Sequence, residues 1–277
     1  MRKVFISADI EGSGAVSSMH ALLPDRWEWT QARRWMTEEV IVAAEASFAA
    51  GYGEVIVADS HGNAHNIDPD ALPDNVQLIR SWPRPLFMMQ GVELEHVEAC
   101  MLLGHHADST TRDSILAHSF NGAACRSVRM NGEICSEGYL GAALAGEFGK
   151  PVIFVSGDEH TIADARRYAP QAVGFITKRS YGYRSQMSLP PPQVRRLMRD
   201  AIDTALSRPL PQPFVLRGPF NLELEMTSQV AAEMLSYLPG VERQDAWKVT
   251  ARFDRMQAVM KFISFAMFYA PNGAIPY

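Results

Sequence analysis

Short apolar runs alternate with longer stretches of helical periodicity along most of this chain. Residues 4–8 (VFISA), 54–58 (EVIVA), 76–79 (VQLI), 101–103 (MLL), 151–155 (PVIFV) and 172–178 read as strands. Residues 26–50 carry Trp29, Ala32, Met36, Val40 and Ala43 at helical spacing, and Gly51 and Gly53 end that helix. Residues 137–148 and 159–168 read as helices, as do residues 191–207, which open on proline. The dipeptide Asn131-Gly132 predicts a tight hairpin. Strand–helix alternation with short apolar strands predicts an α/β fold, a mainly parallel sheet with helices on both faces.

Pro209, Pro211 and Pro213 interrupt this pattern. Beyond them, residues 221–226 (strand), 228–238 (helix), 246–253 (strand) and 256–269 (helix) form a βαβα unit. The expected organisation is a larger α/β domain over residues 1–207 and a smaller C-terminal α+β domain over residues 208–277. There is no internal repeat and no low-complexity tract.

Composition narrows the class. With 277 residues and 47% hydrophobic positions, a sizeable core can form. A net charge of -5, with basic residues only in pairs such as Arg33-Arg34 and Arg195-Arg196, argues against a nucleic-acid surface. The N-terminal apolar run is too short for a signal-peptide core, and no stretch approaches the ~20 apolar residues that span a bilayer. A cytoplasmic protein without membrane or nucleic-acid partners is expected. Cys100, Cys125 and Cys135 fit no metal-knuckle spacing and read as reduced, buried small hydrophobes.

The chemistry gathers at strand ends, where α/β sheets place their ligands. VFISA runs into Asp9-Ile10-Glu11-Gly12, EVIVA into Asp59-Ser60-His61-Gly62, and MLL into Gly104-His105-His106. Asp9 and Glu11 share a face if the strand continues, and two carboxylates aimed at one space call for a cation. The alternative is a solvated strand end turning at Gly12 and Gly14. A single histidine is most often a hydrogen-bonded structural residue, but His61 and His106 at equivalent strand ends beside a carboxylate pair suit zinc. His105 would point the opposite way if the strand extends, and reads as a structural residue or a support for the ligands. Glu137 falls on the stripe of Leu140, Leu144 and Phe148, where a buried carboxylate needs a partner or a metal. A helix-start acid favoured by the dipole is the other reading. His118, within Leu116-Ala117-His118-Ser119, fits a ligand, a general acid/base or a core histidine equally. His20, His65, His96 and His160 lack such settings.

Taken in order, these segments resemble the zinc-dependent D-aminopeptidase family found in dipeptide-transport operons. Ser7-Ala8-Asp9-Ile10-Glu11-Gly12 fits its SxDxEG signature. Asp59-Ser60-His61-Gly62, Gly104-His105-His106-Ala107, Ala117-His118-Ser119 and Ser136-Glu137-Gly138 look like its further motifs. The likeness is clear to about residue 180 and weaker beyond. It implies two Zn2+ per chain, with Asp9 bridging them, Glu11 and His61 completing one site, and His106 and Glu137 the other. It implies His118 as the catalytic residue outside the metal shell. Short peptides with an N-terminal D-amino acid are the implied substrates, and a self-compartmentalising homodecamer the implied assembly. The mechanism that follows is two-metal hydrolysis, with cations acidifying water and polarising the peptide carbonyl while His118 moves protons.

Two other readings compete. FISADIEGS loosely echoes the strand end of a haloacid-dehalogenase-like magnesium phosphatase, but its second acid is Glu and both histidines would stand idle. A non-catalytic peptide-binding accessory of a transporter needs no five-ligand centre. A dinucleotide fold fails because Gly12-Ser13-Gly14 lacks the third glycine and Asp9 and Glu11 repel pyrophosphate.

Overall fold

A computed structural model describes residues 1–269. Strand β1 (Lys3–Ala8) leads through a short helix α1 (Met19–Leu22) to the long helix α2 (Trp29–Ala49) and β2 (Glu54–Asp59). Strands β3 (Val76–Ile79) and β4 (Val97–Leu103) follow, then β5 (Cys125–Met130) and β6 (Glu133–Ile134). Helix α3 (Glu137–Glu147), β7 (Val152–Asp158), α4 (Glu159–Ala165), β8 (Val173–Gly182), β9 (Ser185–Ser188) and α5 (Pro191–Ser207) come next. The described chain closes with β10 (Phe220–Met226), α6 (Gln229–Leu235), β11 (Val241–Arg243), β12 (Lys248–Phe253) and α7 (Met256–Phe268).

Seven strands form one sheet in the order β3-β2-β1-β4-β7-β8-β9. All pairs are parallel except β8 with β9. Along β1 the side chains alternate between two cores. Val4, Ile6 and Ala8 pack with Met36 and Val40 of α2 and Met198 and Ile202 of α5. Phe5 joins Leu102 of β4 and Leu140 and Leu144 of α3 on the other face. The α/β class is as the alternation predicts, with helices on both faces. Helix α3 differs from the expected striped helix: residues 137–146 are all buried, because it lies between two layers rather than at the surface. No described helix is long and apolar enough to cross a membrane.

The second sheet has the order β11-β12-β10-β5-β6 and is antiparallel. Its hairpin β5–β6 turns through Asn131 and Gly132 at φ +52° and +86°, the left-handed pair that a two-residue loop requires. Two of its strands lie before residue 208 and three after it. The expected small unit is therefore not closed on itself: β10 pairs with β12 on one side and with β5 on the other. The physical reason is edge satisfaction, since β10 would otherwise leave a row of main-chain donors and acceptors unpaired. Leu222 and Leu224 of β10 share a core with Val128 of β5 and Leu140 of α3.

Candidate metal centre and its cleft

Parallel pairing aligns three strand ends. Ala8 lies opposite Asp59 on one side and Leu103 on the other, so the segments that follow β1, β2 and β4 emerge together. The chain leaving β1 then crosses the ends of its neighbours: Asp9 N donates to Leu103 O at 2.8 Å and Gly12 N to Gly104 O at 2.7 Å. Glycine is required at position 12, where a Cβ would stand 2.1 Å from His105 O.

Asp9, Glu11, His61, His106 and Glu137 converge there, all buried, and His118 joins them with its side chain 25% exposed. Asp9 stands between two groups. Its Oδ1 is 3.4 Å from His61 Nδ1 and its Oδ2 is 3.6 Å from His106 Nε2. His61 Nδ1 is 3.0 Å from Glu11 Oε2, and His106 Nε2 is 3.2 Å from Glu137 Oε1. His118 stacks on His106 with ring centroids 4.0 Å apart, and its Nε2 lies 3.8 Å from Glu137 Oε1. Two sets of atoms are close enough to share a cation each: Asp9, Glu11 and His61, and His106, His118 and Glu137.

Each imidazole presents its other nitrogen to a main-chain carbonyl. His61 Nε2 meets Leu22 O at 2.9 Å, His106 Nδ1 meets Ala107 O at 2.9 Å, and His118 Nδ1 meets Leu116 O at 3.0 Å. A carbonyl only accepts, so the nitrogen facing it carries the proton. The nitrogens turned inward are thereby free to offer a lone pair, the arrangement by which an outer partner fixes a metal-binding tautomer. His106 Nε2 is buried and makes no hydrogen bond of acceptable geometry despite its two carboxylate neighbours.

The electrostatics demand positive charge. Burial, then the proximity of Glu11, pushes the Asp9 carboxyl up to about 8. Burial opposes a charge on Glu11 too, but the facing His61 overrides it and holds Glu11 well below the usual carboxylate range. Burial likewise opposes protonation of His106, yet Glu137 outweighs it and lifts the imidazole to about 10. Three carboxylates in so little solvent need compensation, from protons or from a cation. His118 is pushed the other way, lowered by burial and by His106, which leaves it a neutral base.

Several supporting residues were not evident from the chain. Asp59 accepts from Asn66 N at 2.6 Å, Asn66 Nδ2 at 2.9 Å and Ile67 N at 2.9 Å, and Asn66 Nδ2 also holds His61 O at 2.7 Å. Thr177 Oγ1 donates to Gly12 O at 2.5 Å, and the Lys178 ammonium to the carbonyls of Glu11, Ser13 and Val16. A lone Thr-Lys pair in a strand carries no sequence signal for that role. His105 Nε2 lies 3.2 Å from Ser7 Oγ; β4 ends at Leu103, so the alternation expected of an extended strand does not reach this residue. Phe120 N donates to Glu137 Oε1 at 2.7 Å.

In front of the cluster lies a cleft of about 630 Å³. Trp82, Phe87, Phe120 and Phe268 form one aromatic wall, with centroid spacings of 4.8 Å for Trp82–Phe87 and 5.0 Å for the edge-on pair Phe87–Phe120.

A model of the D-aminopeptidase family matches residues 1–265. The D-aminopeptidase of Bacillus subtilis (strain 168) is 25% identical over 241 residues, 87% of each chain. The fold is similar to that of the Zn-dependent D-aminopeptidase DppA from Bacillus subtilis, a self-compartmentalizing protease. The TM-score is 0.88 at 24% identity, covering 97% of this chain and 100% of that one.

Proposed function

The chain belongs to the D-aminopeptidase family, and on that premise we propose that it is a binuclear-zinc aminopeptidase. It would hydrolyse short peptides or amides with an N-terminal D-amino acid. The observation that carries this reading is the orientation of three imidazoles, each fixed by a carbonyl and turned toward three buried carboxylates. Imidazole with carboxylate is zinc donor chemistry. The unpartnered His106 Nε2 fits a ligand, because coordination there breaks no hydrogen bond.

Asp9 would be shared between the two ions, Glu11 and His61 holding one and His106 and Glu137 the other. Zinc, when bound, supplies the charge that acidifies water and polarises a carbonyl. The protein's own part is to position and to move protons. His118 is the most exposed of the six residues and opens on the cleft. Its neutral Nε2 would take a proton and return it to the departing amine. The aromatic wall would seat an apolar side chain.

The test is hydrolysis of paired D- and L-aminoacyl amides and dipeptides by zinc-replete protein. Turnover of the D series, loss on chelation and recovery with zinc are expected, with two zinc ions per chain by elemental analysis. Saturation at one ion, or hydrolysis that survives metal removal, would overturn the binuclear reading.

The same family membership supports a homo-oligomer, with a homodecamer as the assembly expected. Tyr181, Tyr183, Met187 and Leu189 expose apolar surface along β8 and β9 and their flank, suited to contacts between copies. Light scattering should give a mass well above a dimer.

A further inference from the structure

The cleft is electrically lopsided. Its acids, Asp9, Glu11 and Glu137, are all among the residues that would hold zinc, and Arg184 is the only Lys or Arg among its described lining residues. We propose that Arg184 binds the C-terminal carboxylate of the substrate, so that this site prefers free di- and tripeptides to C-terminally amidated ones. The proposal rests on the aminopeptidase reading above.

Arg184 sits in the turn between β8 and β9, and that turn is tied to the loop carrying His118. Leu116 N donates to Tyr183 O at 2.9 Å, and the Ser180 hydroxyl donates to Asp113 O. Leu116 O in turn accepts from His118 Nδ1 at 3.0 Å. One residue and two hydrogen bonds therefore separate the main chain beside Arg184 from the His118 imidazole. An extended dipeptide spans roughly 7 Å. Arg184 lines the same cleft as His118, and in the pose proposed here the scissile bond lies by His118 and the carboxylate turns to the guanidinium.

The chemistry fits the zinc-loaded site: Asp9, Glu11 and Glu137 would be taken up as metal ligands, and the peptide's terminal carboxylate meets the cleft's guanidinium. No described carboxylate pairs with Arg184, whose guanidinium lies over the Tyr183 ring, 5.5 Å from its centroid. A planar guanidinium grips a carboxylate through two parallel hydrogen bonds, which a point charge cannot do. An amide at the same place loses the charge and one acceptor.

The test compares D-leucyl-glycine with D-leucyl-glycinamide on zinc-loaded protein. Wild type should favour the free acid in kcat/KM. In Arg184→Ala the acid-to-amide ratio should fall by about tenfold to a hundredfold. Most of that change should lie in KM, because the contact already exists in the bound substrate. Arg184→Lys should restore part of the ratio, and high salt should narrow the wild-type preference. An acid-to-amide ratio that is the same in wild type and Arg184→Ala overturns the proposal while leaving the aminopeptidase intact. If wild type cleaves neither peptide, the aminopeptidase reading fails by itself, and calorimetric binding of the same two peptides then decides Arg184. Tighter binding of the acid that depends on Arg184 supports the proposal; equal binding, or none, overturns it.

Discussion

The Lys178 ammonium donates to the main-chain carbonyl of Glu11, across the ends of two intervening strands. The same group holds Ser13 O at 2.9 Å and Val16 O, so one buried cation sets the path of the loop after β1. Replacing Lys178 with Met leaves three buried carbonyls short of a donor. We expect a loss of roughly 3–5 kcal/mol in folding stability, and weaker zinc binding, since Asp9 and Glu11 bracket the start of that loop. Denaturant unfolding and a zinc titration check this. Unchanged zinc affinity in a folded variant would detach Lys178 from the metal centre.

Glu39 lies against the same loop, accepting from Gly14 N at 3.0 Å, while its Oε2 has no partner. Burial pushes its carboxyl up to about 7, against the pull of Gly14, Ser13, Lys178 and Arg195. The folded state thus keeps a proton that the unfolded chain, with its ordinary value of 4.5, has released. Stability tied to this group is full below the unfolded value and is lost as pH rises through about 7. Glu39→Gln removes that dependence. Its Tm relative to wild type should rise between about pH 5 and pH 8, by the equivalent of at most about 3 kcal/mol. A gap that stays constant over that range would mean that Glu39 titrates normally.

His118 and Asp9 should part company under substitution. Asp9→Ala removes the carboxylate between the two groups, so zinc content and activity should fall together. His118→Ala should keep its zinc and lose roughly 10²–10⁴ in kcat, the share of a positioned proton carrier. His118 also lies within ligating reach alongside His106 and Glu137. Zinc content and kcat are therefore to be measured on one preparation of the His118 variant. Loss of zinc there would make His118 a ligand.

Gly12→Ala should damage the site from behind. Its Cβ would meet His105 O and the main chain of Gly104, neither of which is the free end of a side chain. The strand end must shift, at a cost of about 1–3 kcal/mol, and Glu11 shifts with it. Thermal unfolding and zinc affinity should both register the change, and wild-type values for both would show that the loop yields freely.

The chain by itself determined much of this protein. Short unbroken apolar runs and stretches of period 3.6 reveal the parallel sheet and its helices, because a strand buried on both faces reads as a continuous apolar run and a buried helix face writes a periodicity into the sequence. The acids and histidines at three strand ends were legible for the same reason, since parallel strands bring those ends to one edge. The Asn131-Gly132 turn was legible because few residues adopt two successive left-handed conformations. Tertiary structure alone decided the rest. The pairing of β10 with β5 joins positions over 90 residues apart, and no local pattern encodes an edge partner. Lys178, Thr177 and Arg184 gain their places from the crossing of one loop and the anchoring of another. A hydrogen bond or charge contact between distant segments is a property of the folded path, and it leaves no period in the sequence.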